Sequence, residues 1–227
     1  MVEWNAVWLT LQLAGISTGV LFVLGTPLAW WLAHTTWRGK VVVEAVTAMP
    51  LVLPPTVLGF YLLILLSPDA PFGSFWLSMT GESLTFNFTG LVLASVVYSL
   101  PFMVQPLQSA FSSLDRAQLE AAASLGATRL DTFFTVALPL CRRGFLTAAV
   151  LTFAHTLGEF GVVLMVGGNI PGETRVLSIA IYEHVETLNY AQAHVLAAGM
   201  LAFSFVILLL LYATNKPYPV SVGDAGR

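Results

Sequence analysis

Five long intervals with at most one charged side chain each are the feature that most restricts how this chain can fold. A helix needs about 20 apolar residues to cross roughly 30 Å of hydrocarbon, and each interval is long enough. Only the fourth interval contains a charge, at Glu159. The pattern predicts a chain that crosses a membrane several times. The intervals cover residues 4–37, 45–68, 83–114, 144–172 and 187–215.

The composition indicates the same fold class. Hydrophobic residues make up 57% of the 227 residues, and charged residues make up only 9%. We therefore predict a single all-α integral membrane domain over residues 1–227 with five transmembrane helices. The helices are expected near residues 6–34, 42–66, 88–111, 143–166 and 192–214.

Lysine and arginine predict the orientation of these helices, because cytoplasmic loops are enriched in both. Five spans place eight of the nine basic residues on one side, and Arg175 is the exception. The N-terminus is therefore expected outside and the C-terminus in the cytoplasm. The longest cytoplasmic loop is residues 112–140. The basic residues on its side are Arg38, Lys40, Arg116, Arg129, Arg142, Arg143, Lys216 and Arg227.

Several classes of function are disfavoured. The net charge of −3 and the lack of a basic stripe argue against nucleic-acid binding. No G-x-x-x-x-G-K-[ST] loop occurs in the sequence, so ATP chemistry is not expected in this chain. The single cysteine, Cys141, excludes an internal disulfide. The histidines lack ligand spacing, so neither a metal site nor a metal-dependent hydrolase is expected. They are His34, His155, His184 and His194.

The cytoplasmic loop contains an unusually polar stretch, EAAASLGATRLDTFFTVALP, at residues 120–139. Its turn residues predict two short helices. Asp115 can cap the first, which should stop at Gly126, where a left-handed residue is easiest for glycine. Thr128, with Asp131 three residues later, can cap the second, and Pro139 should close the unit.

The second of these helices has one apolar face. Such a face can lie on lipid headgroups, as amphipathic connectors do. However, its polar side carries only Arg129 and a few hydroxyls, and two adjacent exposed phenylalanines are better suited to a protein pocket. Docking to a protein is therefore favoured over lipid. The apolar residues are Leu130, Phe133, Phe134, Ala137 and Leu138.

The same stretch resembles the EAA loop of ABC importer permeases, in which EAA is followed by a glycine and then by Ile-x-Leu-Pro. Only Val136 departs from that pattern. The resemblance implies an importer-type permease core in a bacterial inner membrane, with a coupling helix that docks on a separate ATP-hydrolysing subunit. It implies that this chain is not an enzyme and that ATP and Mg are used by the partner. The residues it assigns to coupling are Glu120, Ala121, Ala122, Gly126, Leu130, Phe133, Phe134, Leu138 and Pro139.

Three further stretches resemble the molybdate branch of these permeases. They are MPLVLPPTVLGFYLL from Met49, LGEFG at 157–161 and NIPGETR at 169–175. The second is shared with sulfate and thiosulfate permeases, whereas the third is closer to molybdate permeases. The resemblance implies import of molybdate or tungstate, and a sulfate or thiosulfate permease is the alternative. An ion-coupled secondary transporter is less favoured, because five spans do not divide into two matching halves.

Two of these stretches predict breaks in the spans. Proline removes a helical hydrogen bond, and such backbone is tolerated at membrane depth where protein or a water-filled cavity satisfies it. A broken, pathway-lining helix is therefore expected. We expect Glu159 to accept hydrogen bonds from serine, threonine or backbone groups, and direct contact with cargo is the alternative. The expected pathway residues are Pro50, Pro54, Pro55, Gly158, Glu159 and Gly161.

No predicted span contains a lysine or an arginine, so a tight oxyanion site is not expected within the membrane. Affinity should come from a separate periplasmic binding protein, received by the external segment 167–191. Arg175 could attract anions or pair with Glu173 or Glu183. Five spans with few polar positions are also too few to enclose a hydrated path, which predicts a homodimer served by two ATPases. The external loop residues concerned are Asn169, Pro171, Gly172, Glu173 and Arg175.

Overall fold

The computed structural model describes residues 3–214, and every regular element in that range is helical. Lys216 and Arg227, which contribute to the predicted orientation, lie outside the described residues. A 3-10 turn at Met49–Leu51 and a π-helical turn at Phe133–Ala137 connect α-helices. The α-helices in the described range are α1 (Trp4–His34), α2 (Lys40–Ala48), α3 (Pro55–Leu66), α4 (Pro71–Thr80), α5 (Phe88–Ser112), α6 (Arg116–Ser124), α7 (Arg129–Thr132), α8 (Leu138–Leu140), α9 (Arg142–Leu157), α10 (Gly161–Gly167), α11 (Leu177–Glu186) and α12 (Tyr190–Thr214).

Three of the predicted spans correspond to single long helices. By length and composition, α1, α5 and α12 can each cross a membrane. Two sharply bent pairs of helices raise the count of candidate spans to as many as five within residues 3–214, if each pair is taken as one span. The bent pairs are 40–51 with 55–66, and 129–140 with 142–157.

The predicted span at 42–66 is divided by a bend of 110° between Leu51 and Pro55. Pro54 is extended, with ψ of 134°, and Pro55 is the first residue of α3. A proline disfavours the helical conformation in the residue before it and fits well at a helix start, so the two prolines end one helix and begin another. The expectation of a broken helix here is confirmed.

The predicted span at 143–166 is also interrupted. Helix α9 ends at Leu157, and α10 begins at Gly161 after three non-helical residues. Phe160, directly before α10, has φ of −129° and ψ of −62°, which no regular helix adopts. At its other end, α9 makes an angle of 75° with the helical segment 129–140. The chain therefore turns sharply just before this span begins.

Helix α5 is the centre of the packing, because it contacts α1, α3, α9 and α10. One apolar cluster joins it to α1 and α9, and includes Leu21, Met103 and Phe145. A second joins it to α3 and α10, and includes Leu62 and Val166. These two clusters hold the two broken segments against the same central helix.

Two short helices lie in segments that the sequence places outside the membrane. Helix α11 falls within the external segment 167–191, and α4 lies between the second and third predicted spans. Leu177 N–H donates to Thr10 Oγ1 at 2.7 Å, which fastens the start of α11 to α1.

Candidate functional site at two helix breaks

The two helix breaks lie against each other. A Cβ atom placed on Gly161, the first residue of α10, would come within 2.8 Å of Cβ of Pro55, the first residue of α3. Gly59, one turn along α3, would bring a Cβ within 2.8 Å of Cβ of Met165 on α10. Glycine at both positions allows the two helices to pack closely from their first turns.

A cavity of about 580 Å³ lies at this junction. Of the predicted pathway residues, Pro55, Gly158, Glu159 and Gly161 line it. Pro50 is instead buried in the 3-10 turn that packs on α5, and Pro54 precedes α3 without lining the cavity. The remaining lining residues are Thr56, Tyr98, Ala154, His155, Phe160, Leu164 and Met165.

Glu159 is buried, with 3% of its surface exposed. The carboxyl group lies next to the hydroxyl group of Ser95 on α5. The backbone holds the turn as well: Glu159 N–H donates to the Thr156 carbonyl at 3.3 Å, and the Glu159 carbonyl accepts from Ser178 Oγ at 2.6 Å. The expectation that hydroxyl groups hold Glu159 therefore agrees with the interaction of its carboxyl group with Ser95 and with the hydrogen bond from Ser178.

His155 is a residue that the sequence analysis passed over. Its ring lines the cavity and is stacked on Phe102, with ring centroids 3.9 Å apart and planes at 24°. Tyr98 packs against the ring from the same helix, at 4.8 Å. Nδ1 lies 3.0 Å from Ser99 Oγ. The only signal in the sequence was its position four residues before Glu159. His155 lies on the last turn of α9, and Glu159 lies in the break that follows.

The predicted coupling unit folds as two short helices with the expected caps. Asp115 accepts from Ala117 N–H at 2.9 Å, although Gln118 does not complete a capping box. Gly126 follows the first helix with φ of 84°. At the second helix, Thr128 and Asp131 form a reciprocal capping box. Two hydrogen bonds from Thr128 to the Asp131 carboxylate lower its pKa from the ordinary value.

Pro139 does not close the unit. The chain remains helical to Leu140, and a π-helical turn at Phe133–Ala137 comes before the proline. A proline cannot donate to the carbonyl four residues earlier and collides with it in a regular α-helix. The wider turn accommodates the proline without ending the helix, because a π-helical turn replaces the regular ladder there.

The apolar face of the second helix is divided, which corrects the picture of two adjacent exposed phenylalanines. Phe133 packs edge-on against Trp30 of α1, with centroids 5.3 Å apart. Ala137 is fully buried and Leu138 packs on the core cluster between α1, α5 and α9. Phe134 points outward, and 60% of its surface is exposed.

The remaining coupling residues form an exposed surface. We define the outer coupling surface as Leu125, Leu130 and Phe134, with 90%, 71% and 60% of their surfaces exposed. No residue of α6 is buried, and this helix, which contains Glu120, Ala121 and Ala122, packs mainly on α7 and the π-helical turn of the same unit.

On the predicted external side, Arg175 joins the N-terminal end of α1 to α11. Its Nη2 atom lies 3.0 Å from Glu3 Oε1 and 3.1 Å from Glu183 Oε2. Glu3 also contacts His184, at 2.8 Å, and Glu183 accepts from Asn169 at 2.7 Å. The predicted pairing with Glu183 is present, but Glu3 takes the place of Glu173.

The rest of the external loop is a tight, exposed turn. Gly172 has φ of 83°, and the N–H groups of residues 173–175 all donate to the Ile170 carbonyl. Pro171, Gly172 and Glu173 are exposed, whereas Thr174 is buried and donates to the Gly167 carbonyl at 2.7 Å. Among residues 3–214, no group of three or more His, Cys, Asp or Glu side chains could hold a metal ion.

Comparison with protein families identifies one model over most of the chain. It is described as the binding-protein-dependent transport system inner membrane component, and it matches residues 25–216. Among curated proteins, the chain is 56% identical over 211 residues to the molybdenum transport system permease protein ModB of Azotobacter vinelandii, which covers 93% of each chain. It is 34% identical to the sulfate transport system permease protein CysT of Synechocystis, over 92% of this chain and 71% of the relative.

The fold also matches solved structures. A chain of the MetNI methionine ABC transporter, from a study of its inward-facing conformations, superposes with a TM-score of 0.72 over 94% of both chains. The sequence identity is 18%, so this likeness concerns the fold alone.

Proposed function

The chain belongs to the family of binding-protein-dependent transport system inner membrane components, and from this premise we propose that it is the permease subunit of an ABC importer for molybdate. Members of this family are multi-pass proteins of the inner membrane and components of transport systems rather than enzymes. The permease passes the oxyanion to the cytoplasm by alternating access.

The observation that carries the choice of cargo is the 56% identity to the molybdenum permease over 93% of both chains. The sulfate permease is only 34% identical and is covered over 71% of its length. Import of sulfate or thiosulfate is accordingly the second candidate. Tungstate, which resembles molybdate in size and charge, is included in the proposed cargo.

The outer coupling surface supports docking to an ATP-hydrolysing subunit. Its apolar side chains project outward from a unit whose other face is packed on the core, as expected of residues that fill a partner's pocket. Lys and Arg do not border this surface in the manner of a lipid-binding helix, since only Arg129 lies on the second helix. ATP and Mg would be bound by that partner, and the coupling residues would transmit its motion.

A second copy of the chain is the partner that we propose for enclosing the path. The cavity at the helix breaks is open on one side of the protomer, so one chain does not enclose it. A hydrated anion cannot cross hydrocarbon, and a second copy facing the cavity would complete a protein-lined path. Each permease would bind one ATPase, giving two in the complex.

A periplasmic binding protein would be received on the side that carries the 167–191 segment. This proposal uses the orientation expected from the basic residues, with the N-terminus outside. The exposed turn at 171–173 and the Arg175 cluster form a polar surface on that side. The family description, which names a binding-protein-dependent system, supports such a partner.

The experiment measures oxyanion uptake into proteoliposomes that contain the permease and its ATPase. Each candidate binding protein is supplied in turn. Molybdate and tungstate uptake should exceed sulfate uptake and require ATP. Equal sulfate uptake through the same complex would move the assignment to the sulfate group. Uptake that persists without the ATPase but requires an ion gradient would instead indicate a secondary transporter.

A further inference from the structure

The helix α11, in the external segment, lies against the break between α9 and α10. Ser178 Oγ donates to the Glu159 carbonyl at 2.6 Å, and Glu159 lines the cavity. Residues 158–160 of this break belong to neither helix. Where a helix is interrupted, backbone carbonyl groups lose their partners within the helix and need others. A side chain of α11 supplies such a partner here.

A ring contact joins the same two segments one turn further along α11. The rings of Tyr182 and Phe160 have centroids 4.9 Å apart and planes at 47°. Phe160 is the residue directly before α10, and it also lines the cavity. Ser178 and Tyr182 are four positions apart, so they lie on one face of α11. That face therefore contacts two consecutive residues of the break.

Ile179, between these two residues of α11, adds an apolar contact. It belongs to a buried cluster that also contains Val163 of α10 and Leu13 of α1, and Phe160 packs against this cluster. Protein interiors are closely packed, so a shift of one side chain displaces its neighbours. The position of α11 is therefore linked to the start of α10 by packing as well as by the hydrogen bond from Ser178.

Helix α11 is itself anchored to α1 at both of its ends. At its start, Leu177 N–H donates to Thr10 Oγ1 at 2.7 Å. Near its other end, His184 Nε2 lies 2.8 Å from Oε1 of Glu3, the residue that precedes α1. Helix α1 in turn packs on α5 and α9. The residues of α11 that contact the break thus lie between two fixed points.

We propose that Ser178 and Tyr182 are positioning residues, which hold the backbone of residues 159 and 160 in the conformation that shapes the cavity. The inference rests on the proposed function, because the cavity is taken as part of the path of the oxyanion. Within residues 3–214, neither side chain lines the cavity, so each acts through Glu159 or Phe160. The external segment 167–191, which is proposed to receive the binding protein, thereby also sets the shape of the cavity.

The test measures ATP hydrolysed per molybdate imported by the complete complex in proteoliposomes, over a range of concentrations of molybdate-loaded binding protein. Ser178→Ala removes the hydrogen bond to the break and should raise this ratio by about fivefold, the change in equilibrium constant expected for one hydrogen bond. The half-saturating concentration of the binding protein should keep its wild-type value, because Ser178 acts on the break and not on docking.

Two variants show whether the hydroxyl group at position 178 is the cause. Ser178→Thr keeps a hydroxyl group and should restore the wild-type ratio of ATP to molybdate. Thr187→Val is the matched control, because it removes another hydroxyl group of the external segment. The hydrogen bonds of Thr187 go to the Glu183 and His184 carbonyls, both within α11, so this variant should follow the wild type.

The ring contact is tested by a second pair of variants. Tyr182→Ala removes the ring that packs on Phe160 and should raise the ratio of ATP to molybdate, as Ser178→Ala does. Tyr182→Phe keeps the ring and loses only the hydroxyl group, which donates to the Glu186 carboxylate. It should therefore follow the wild type.

A wild-type ratio of ATP to molybdate in Ser178→Ala would overturn the proposal. That outcome includes a parallel fall of import and hydrolysis, because a merely structural role reduces the number of intact complexes and lowers both equally. A higher half-saturating concentration with an unchanged ratio would also overturn it, since Ser178 would then act on docking. If Ser178→Ala fails to assemble, the comparison of Tyr182→Ala with Tyr182→Phe still decides. Wild-type complexes that import no molybdate would contradict the proposed function itself, a result that requires no variant.

Discussion

Gly161 and Pro55 begin two different helices and touch each other: a Cβ atom at position 161 would lie 2.8 Å from Cβ of Pro55. The proline ring is rigid, so it cannot move aside as a flexible side chain would. Any residue larger than glycine at position 161 must push α3 and α10 apart. The contact therefore sets the width of the cavity that the two breaks create.

Gly161→Ala should lower the stability of the purified permease by about 1–3 kcal/mol, the usual cost of overpacking, and should reduce uptake. Thermal unfolding in detergent and uptake in proteoliposomes measure the two effects. Gly15→Ala is the matched control, because a Cβ at Gly15, within α1, would meet nothing within 4 Å. Equal unfolding temperatures for Gly161→Ala and the control would contradict the close approach of the two helices.

The two adjacent phenylalanines of the coupling unit should behave differently. Phe133→Ala removes a ring that packs on Trp30, so it should destabilise the permease alone, by roughly 2 kcal/mol for a half-buried aromatic. Phe134→Ala removes a mostly exposed ring and should leave the unfolding temperature unchanged. It should instead weaken co-purification of the ATPase, by about 2 kcal/mol if Phe134 is a binding hot spot.

The measurements are unfolding of the isolated permease and retention of the ATPase during purification of the complex. Leu125→Ala, which truncates another side chain of the outer coupling surface, tests the same surface without touching the core. Normal ATPase retention in a Leu125→Ala, Phe134→Ala double variant would remove the docking role of this surface.

Local signals in the sequence predicted the helix caps, the turn at Gly126 and the first helix break well. The capping box of Thr128 and Asp131, the turn at Gly126 and the break at Pro54 and Pro55 all depend on residues within a few positions of one another. These features can therefore be predicted without knowledge of the fold. The three uninterrupted helices followed from charge-free length in the same way.

Features that depend on distant residues could not be predicted. Phe133 turns inward because Trp30, about a hundred positions earlier, offers an aromatic surface to it. The His155 ring is positioned by Ser99 and Phe102 on another helix, so the histidine looked uninformative in the sequence. The neighbour of the Glu159 carboxyl group, Ser95, likewise lies on another helix.

Gly126 is expected to be required for its backbone conformation alone. Its φ is 84°, and a Cβ atom there would meet nothing within 4 Å, so any loss on substitution is conformational rather than steric. Gly126→Ala should cost about 1–2 kcal/mol, because other L-residues resist this region, and should misalign α6 with the helix that follows. Gly126→Asn should be tolerated better. ATP hydrolysed per molybdate imported measures the coupling, and equal ratios for both variants would contradict this explanation.

Arg175 is expected to stabilise the external end of the protein by bridging two carboxylates. Arg175→Gln leaves Glu3 and Glu183 without their shared cation and should lower the stability by about 1–2 kcal/mol, less than for a fully buried pair because all three groups are partly exposed. Glu173→Gln, in the exposed turn nearby, should have no effect. Thermal unfolding in low and high salt checks both variants. An Arg175→Gln variant as stable as Glu173→Gln would contradict the stabilising role of the Arg175 ion pairs.

The orientation can be tested with a reporter that is active only outside the cytoplasm. Fusions after Ser83 or Tyr190 should be active, and fusions after Gly39 or Gly126 inactive, because the basic residues gather on the side of the latter pair. Gly126 is the informative position, since it lies between the two helices of the coupling unit. A cytoplasmic ATPase can reach the outer coupling surface only if this unit is inside. An active reporter at Gly126 would therefore exclude docking there, whatever the effects of the Phe134 and Leu125 substitutions.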